Sequence, residues 1–165
     1  MKTVIANYEK RQREGFKYVQ LKWKIERKET GNCSENFIDI NELLPQKHLM
    51  LLGDAGCGKS TALDWLELHD AKEFVQNNSK KIPVKIQLIN ENPYISIIEL
   101  ICKKLNMPRT HADKLLKTGD LHVYIDGINE LPGGLEARNS FIKDLDLFIA
   151  EYPNSFVVEK MQLCR

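Results

Sequence analysis

A chain of 165 residues is long enough for one domain with a sizeable core. Its apolar content of 42% and charged content of 28% are ordinary for a soluble globular protein, and a formal net charge of +1 makes nucleic acid an unexpected partner. No apolar run approaches the roughly 20 residues that span a bilayer, and the N-terminus lacks a secretory h-region; the expected location is the cytoplasm, with no membrane partner. Cys33, Cys57, Cys102 and Cys164 show no C-x-x-C spacing and are read as free thiols.

Residues 1–30 hold nine Lys or Arg against four Glu, a basic stretch read as a solvated face because no nucleic-acid-binding motif accompanies it. Residues 1–17 are polar and either helical or loose. From Tyr18 onward Val19, Leu21, Trp23 and Ile25 alternate with polar residues, the period of a half-buried strand. Thr30-Gly31-Asn32 and Ser34-Glu35-Asn36 then read as turn or loop. The chain divides into a basic N-terminal segment with one strand, 1–36, and an α/β body, 37–165.

His48-Leu49-Met50-Leu51-Leu52 is an unbroken apolar run of the kind that forms buried parallel strands. Residues 59–76 read as a helix with Ala62, Leu63, Leu66 and Phe74 near one face. Pro83 to Ile89 predicts a strand, with proline at its first position where the missing N–H matters least. Helices follow over 94–105 and about 110–117, then a strand at Leu121–Ile125, a helix over 135–151 and a strand that starts with Ser155 to Val158. Strands alternating with helices of this length indicate an α/β domain with a parallel sheet.

Between the first body strand and its helix lies Gly53-Asp54-Ala55-Gly56-Cys57-Gly58-Lys59-Ser60-Thr61, which fits the P-loop pattern G-x-x-x-x-G-K-[ST] in the strand–loop–helix context that pattern requires. Glycines let the backbone fold around phosphates without Cβ clashes. Loop N–H groups and the helix N-terminus then face the anion. Lys59 is expected to reach the β- and γ-phosphates, the Ser60 hydroxyl to ligate Mg²⁺, and Thr61 to help with the α-phosphate. Cys57, beside Lys59 and a helix N-terminus, is either a reactive thiol or a small filler.

About 70 residues after the P-loop, His122-Val123-Tyr124-Ile125-Asp126 is a mostly apolar strand ending in a carboxylate. Asp126 is assigned to the magnesium shell; alone, Asp126-Gly127 would be an ordinary turn dipeptide. Glu130 is positioned by sequence to orient or deprotonate an attacking water.

With these motifs the chain resembles the NACHT NTPases, a branch of the STAND class of signalling P-loop ATPases that includes the NOD-like receptors. The resemblance covers about residues 18–158. It rests on Asp39-Ile40-Asn41-Glu42-Leu43-Leu44-Pro45, on the P-loop, on Val123-Tyr124-Ile125-Asp126-Gly127-Ile128-Asn129-Glu130-Leu131-Pro132, and on Tyr152-Pro153. It implies a three-layer αβα P-loop NTPase fold with strand order 5-1-4-3-2, a small residue (Gly127) after the Walker B aspartate, and an acidic pair after that. Asn129 replaces the first acid of that pair and carries no charge, so hydrolysis would rest on Glu130 and be slow. The family's sensor arginine follows the fourth strand; here Arg165 is either that residue after an insertion or a chance match in the tail. The resemblance further implies a fifth strand and a helical lid beyond Arg165, without which the 48–52 strand is an apolar edge.

The resemblance implies an ATP switch using Mg²⁺, coupled to homo-oligomerisation in a longer protein. The alternatives are a non-hydrolysing nucleotide-binding scaffold and a DNA-associated helicase-loader-like ATPase using the basic N-terminus. GTP is disfavoured because no [NT]-K-x-D motif is present.

Overall fold

The computed structural model describes residues 47–162 apart from Ala55, together with strands β1 (Trp23–Glu26) and β2 (Cys33–Ile38). Readings that fall on residues 1–22, 27–32, 39–46 and 163–165, Arg165 among them, lie outside the described residues.

β1 and β2 pair antiparallel as a separate two-stranded sheet. The turn-rich segment Ser34-Glu35-Asn36 therefore sits inside a strand. Backbone pairing with a neighbouring strand overrides a weak local propensity.

The body runs β3 (His48–Gly53), α1 (Lys59–Val75), β4 (Ile82–Gln87), α2 (Ile97–Leu105), α3 (Arg109–Thr118), β5 (Leu121–Asp126), α4 (Gly134–Glu151) and β6 (Phe156–Gln162). Its four strands are parallel in the order β3-β6-β5-β4. This is the three-layer αβα arrangement of a P-loop NTPase. The chain crosses the whole sheet from β3 to β4 and then steps back through β5 to β6. Right-handed crossovers place α1 on one face and α2, α3 and α4 on the other.

Each face has its own core. Val84, Ile86, Val123, Ile125 and Val157 pack against Ile97, Ile101, Leu116, Phe141 and Phe148 of α2–α4. On the other face Leu51, Tyr124, Phe156 and Val158 pack against Ala62, Leu63 and Leu66 of α1. These helical residues recur at three- and four-residue spacing, which makes the apolar stripe that must be buried.

Two boundaries differ from the sequence reading. β4 ends at Gln87, and Leu88–Asn90 form a 3₁₀ turn. α2 begins at Ile97, because the Ser96 N–H donates to Glu99 Oε2 at 3.1 Å and Asp144 Oδ2 accepts the Ile97 N–H at 3.0 Å. These contacts satisfy donors that a helix N-terminus leaves open. β6 begins at Phe156 and continues to Gln162. It is an inner strand, and its pairing with β3 from His48↔Val157 to Gly53↔Gln162 carries it through the polar Glu159 and Gln162. β3 is the outer strand, with Met50 and Leu52 exposed by 41% and 40%.

The face under α1 also carries a buried polar stripe. Asp70 of α1 accepts from His122 Nδ1 and, at 2.5 Å, from the Tyr124 hydroxyl. Burial pushes the Asp70 carboxyl up, but the His122 hydrogen bond and charge and the Tyr124 hydroxyl outweigh it, so its pKa falls below the usual value. A depressed carboxylate stabilises the fold above its unfolded pKa, and this contribution is lost as pH falls through the folded value. We expect Asp70→Asn to cost about 2–3 kcal/mol at pH 7 by urea denaturation. The gap to the unsubstituted chain should narrow as pH drops below about 4, because protonation then costs the parent what the variant has already lost.

Candidate nucleotide-binding site

The strands are parallel, so Gly53 at the end of β3 and Asp126 at the end of β5 lie at the same, C-terminal end of the sheet, with β6 between them. In open α/β sheets this end, beside the point where the chain reverses its direction of travel, is where ligands bind.

The loop after β3 closes on its own lysine. The Lys59 ammonium donates to the Gly53 carbonyl at 2.6 Å and to the Asp54 carbonyl at 2.5 Å, with Cys57 Sγ at 3.4 Å. Lys59 is 5% exposed although Asp54, Gly56, Cys57 and Ser60 around it are exposed. A buried ammonium needs such partners. Gly58 precedes α1 at φ 89°, and the Ala62 N–H donates to its carbonyl at 2.9 Å, so α1 starts at Lys59 itself. A Cβ at Gly53 would stand 2.7 Å from Cys57 Sγ and 3.9 Å from Lys59 Nζ. A side chain at Gly53 would therefore have to displace the Cys57 thiol from the cradle. Ser60 and Thr61 occupy the first turn of α1, exposed at the mouth of the loop.

On β5 the Asp126 side chain is 12% exposed and lies 3.5 Å from Lys85 Nζ. The chain then turns sharply at Gly127, φ 89°, into the short turn Ile128–Glu130, closed by the Glu130 N–H on the Gly127 carbonyl at 2.8 Å. That turn brings Glu130 back beside Gly127, where it stands exposed. Asn129 is held through its backbone: Arg138 Nη2 of α4 donates to its carbonyl at 2.8 Å.

Sequence reasoning missed several side chains beneath this site. Lys85 of β4 is 8% exposed and bonds Asp64 of α1 as well as approaching Asp126. Burial raises the pKa of Glu67 on the same helix; the Lys85 charge lowers it to a lesser degree, and the charge of Asp64 raises it. A signal existed: His122, Tyr124 and Asp126 occupy alternate positions of β5, one face by period, and Lys85 registers with Tyr124. The apolar residues between them masked it.

Gly127 provides a direct test of the turn. A left-handed backbone costs an L-residue with a Cβ roughly 1–2 kcal/mol, and asparagine less. Gly127→Ala is expected to lower unfolding free energy by about that amount in urea, and Gly127→Asn by visibly less.

The described residues contain no helix long and apolar enough to cross a membrane. A search of the curated proteins found no match. Among solved structures, that of C. elegans PCH-2 is similar with a TM-score of 0.40 at 18% identity, covering 71% of this chain and 30% of that one; the chain thus corresponds to less than a third of that protein. The family model described as "NACHT domain" matches residues 47–155. That span runs from the strand before the P-loop to the start of β6 and takes in both loops described above. The chain belongs to the NACHT domain family of nucleotide-binding P-loop NTPases.

Proposed function

We propose that this chain binds ATP with Mg²⁺ and hydrolyses it slowly, as the nucleotide switch of a STAND-type signalling protein of the cytoplasm. The observation that carries the reading is the buried Lys59 ammonium. It is held by two loop carbonyls at the end of the sheet where Asp126 also ends its strand.

Lys59 exchanges those carbonyls for phosphate oxygens, a charge-assisted contact stronger than the neutral one it replaces. Loop N–H groups from Gly53 to Thr61 and the start of α1 take the remaining phosphate charge. The donor set fits a magnesium ion: a hydroxyl at Ser60 and a carboxylate at Asp126 are hard oxygen ligands, few enough to leave room for water and phosphate. Bound there, the ion supplies neutralisation of phosphate charge. Glu130, exposed beside the turn, orients the attacking water and accepts its proton. Asn129 offers only an uncharged amide beside it, so one carboxylate carries the base role, which favours slow turnover.

The same substitution supports a second reading, a scaffold that binds nucleotide without turnover. In the first reading, switching would act through assembly of copies of the protein.

A fluorescent ATP analogue titrated in millimolar Mg²⁺ should bind saturably, and Lys59→Ala should weaken it by about tenfold or more. Glu130→Gln should keep that affinity while cutting any measured turnover by about a hundredfold. Absence of Lys59-dependent binding overturns the proposal; binding with no turnover in the parent chain selects the scaffold. Retention of DNA on a filter that falls steeply with salt would instead favour the helicase-loader alternative.

A further inference from the structure

Lys85 places a positive charge immediately behind the end of β5. Lys85 and Asp126 are diagonal neighbours on the α1 face, since Lys85 registers with Tyr124 and Gln87 with Asp126. The side chains of Lys85 and Asp126 are only 9% and 12% exposed, and Asp64 from the second turn of α1 is 24% exposed. Lys85 grips these two carboxylates unequally. It makes a short hydrogen bond to Asp64, whereas Asp126 Oδ2 stands 3.5 Å away. That is an ion-pair distance, longer than the roughly 2.7–3.2 Å of a nitrogen–oxygen hydrogen bond.

This inequality has a consequence for a divalent cation. An ammonium that bonded Asp126 tightly would hold its carboxylate away from any metal. One anchored on Asp64 attracts Asp126 from ion-pair distance instead. The metal and the ammonium then compete electrostatically for a single carboxylate, in surroundings where water screens little.

We propose that Lys85 is a positioning residue that sets the Mg²⁺ requirement of the nucleotide site: anchored on Asp64, its ammonium holds Asp126 in place and competes with the metal for it. The inference rests on the Mg-ATP reading above. It assigns Lys85 no contact with nucleotide. Asp64 is the counterweight that limits how firmly Lys85 holds Asp126.

The test measures the Mg²⁺ concentration that gives half-maximal binding of a fluorescent ATP analogue to the full chain, starting from EDTA. Lys85→Met keeps the volume and removes the competing charge, so the midpoint should fall about three- to tenfold. Asp64→Asn keeps the shape but releases Lys85 toward Asp126, so the midpoint should rise about threefold. Lys85→Arg keeps the charge and should return the midpoint toward the parent value. A role confined to stability would shift unfolding and leave these midpoints together. Should Lys85→Met fail to fold by circular dichroism, Asp64→Asn decides alone: an upward shift supports the proposal, and an unmoved midpoint overturns it. Midpoints unmoved in a parent chain that binds nucleotide through Lys59 overturn this inference only. Loss of Lys59-dependent binding in the parent overturns the Mg-ATP reading and this inference with it.

Discussion

Everything at the nucleotide end of the sheet depends on how α1 is seated, because α1 is the continuation of the P-loop. Its first residue is Lys59, so a shift or rotation of the helix moves the loop with it. Apolar packing of Ala62, Leu63 and Leu66 holds the helix down, but such contacts are non-directional and tolerate sliding. Two polar ties on the same face add direction. Asp64 meets Lys85 near the loop, and Asp70 meets His122 and Tyr124 further along. Hydrogen bonds in low dielectric fix both rotation and register, and they attach the helix to β4 and β5 specifically.

The cost of this arrangement is desolvation. Lys85, Asp70 and His122 are all under a tenth exposed, and burying charge is repaid only when the partners are well placed. An all-apolar interface of the same shape would serve stability as well or better. Apolar contacts, however, could not join β5 to the P-loop helix through charge. The stripe ends on Asp126, the carboxylate at the tip of β5. The polar groups therefore run from the middle of α1 to the mouth of the site.

Much of this was legible in the sequence, and for identifiable reasons. The P-loop is read from fixed residue types at fixed spacing, and its strand–loop–helix context was visible in the apolar run 48–52 and in the periodicity of Ala62, Leu63 and Leu66. The order β3-β6-β5-β4 is the 1-4-3-2 part of the order the family resemblance implied. What escaped was decided by pairing between distant segments. How far β6 runs past Val158 is one such point: Glu159 is charged, yet it is 7% exposed and pairs with Ile125 on one side and Met50 on the other. Ser34-Glu35-Asn36 has the composition of a turn and becomes a strand through β1. Nothing in the sequence pairs Lys85 with Asp64, 21 positions earlier; only the fold lays one against the other.

Asn129 bears on how these pieces divide the work. The backbone at this position is fixed, since Arg138 holds its carbonyl and the Gly127–Glu130 bond closes the turn. Within this fixed turn Asn129 carries no charge and Glu130 is the acidic side chain. Removing a carboxylate lowers the negative potential facing a phosphate and leaves Glu130 as the carboxylate of the pair. That change favours holding an anionic nucleotide over activating water against it. The same balance is visible at Asp126, where Lys85 offsets part of the charge a metal would meet. On the proposed reading, a P-loop whose lysine is buried among its own carbonyls faces a wall whose charge favours retaining nucleotide over rapid turnover.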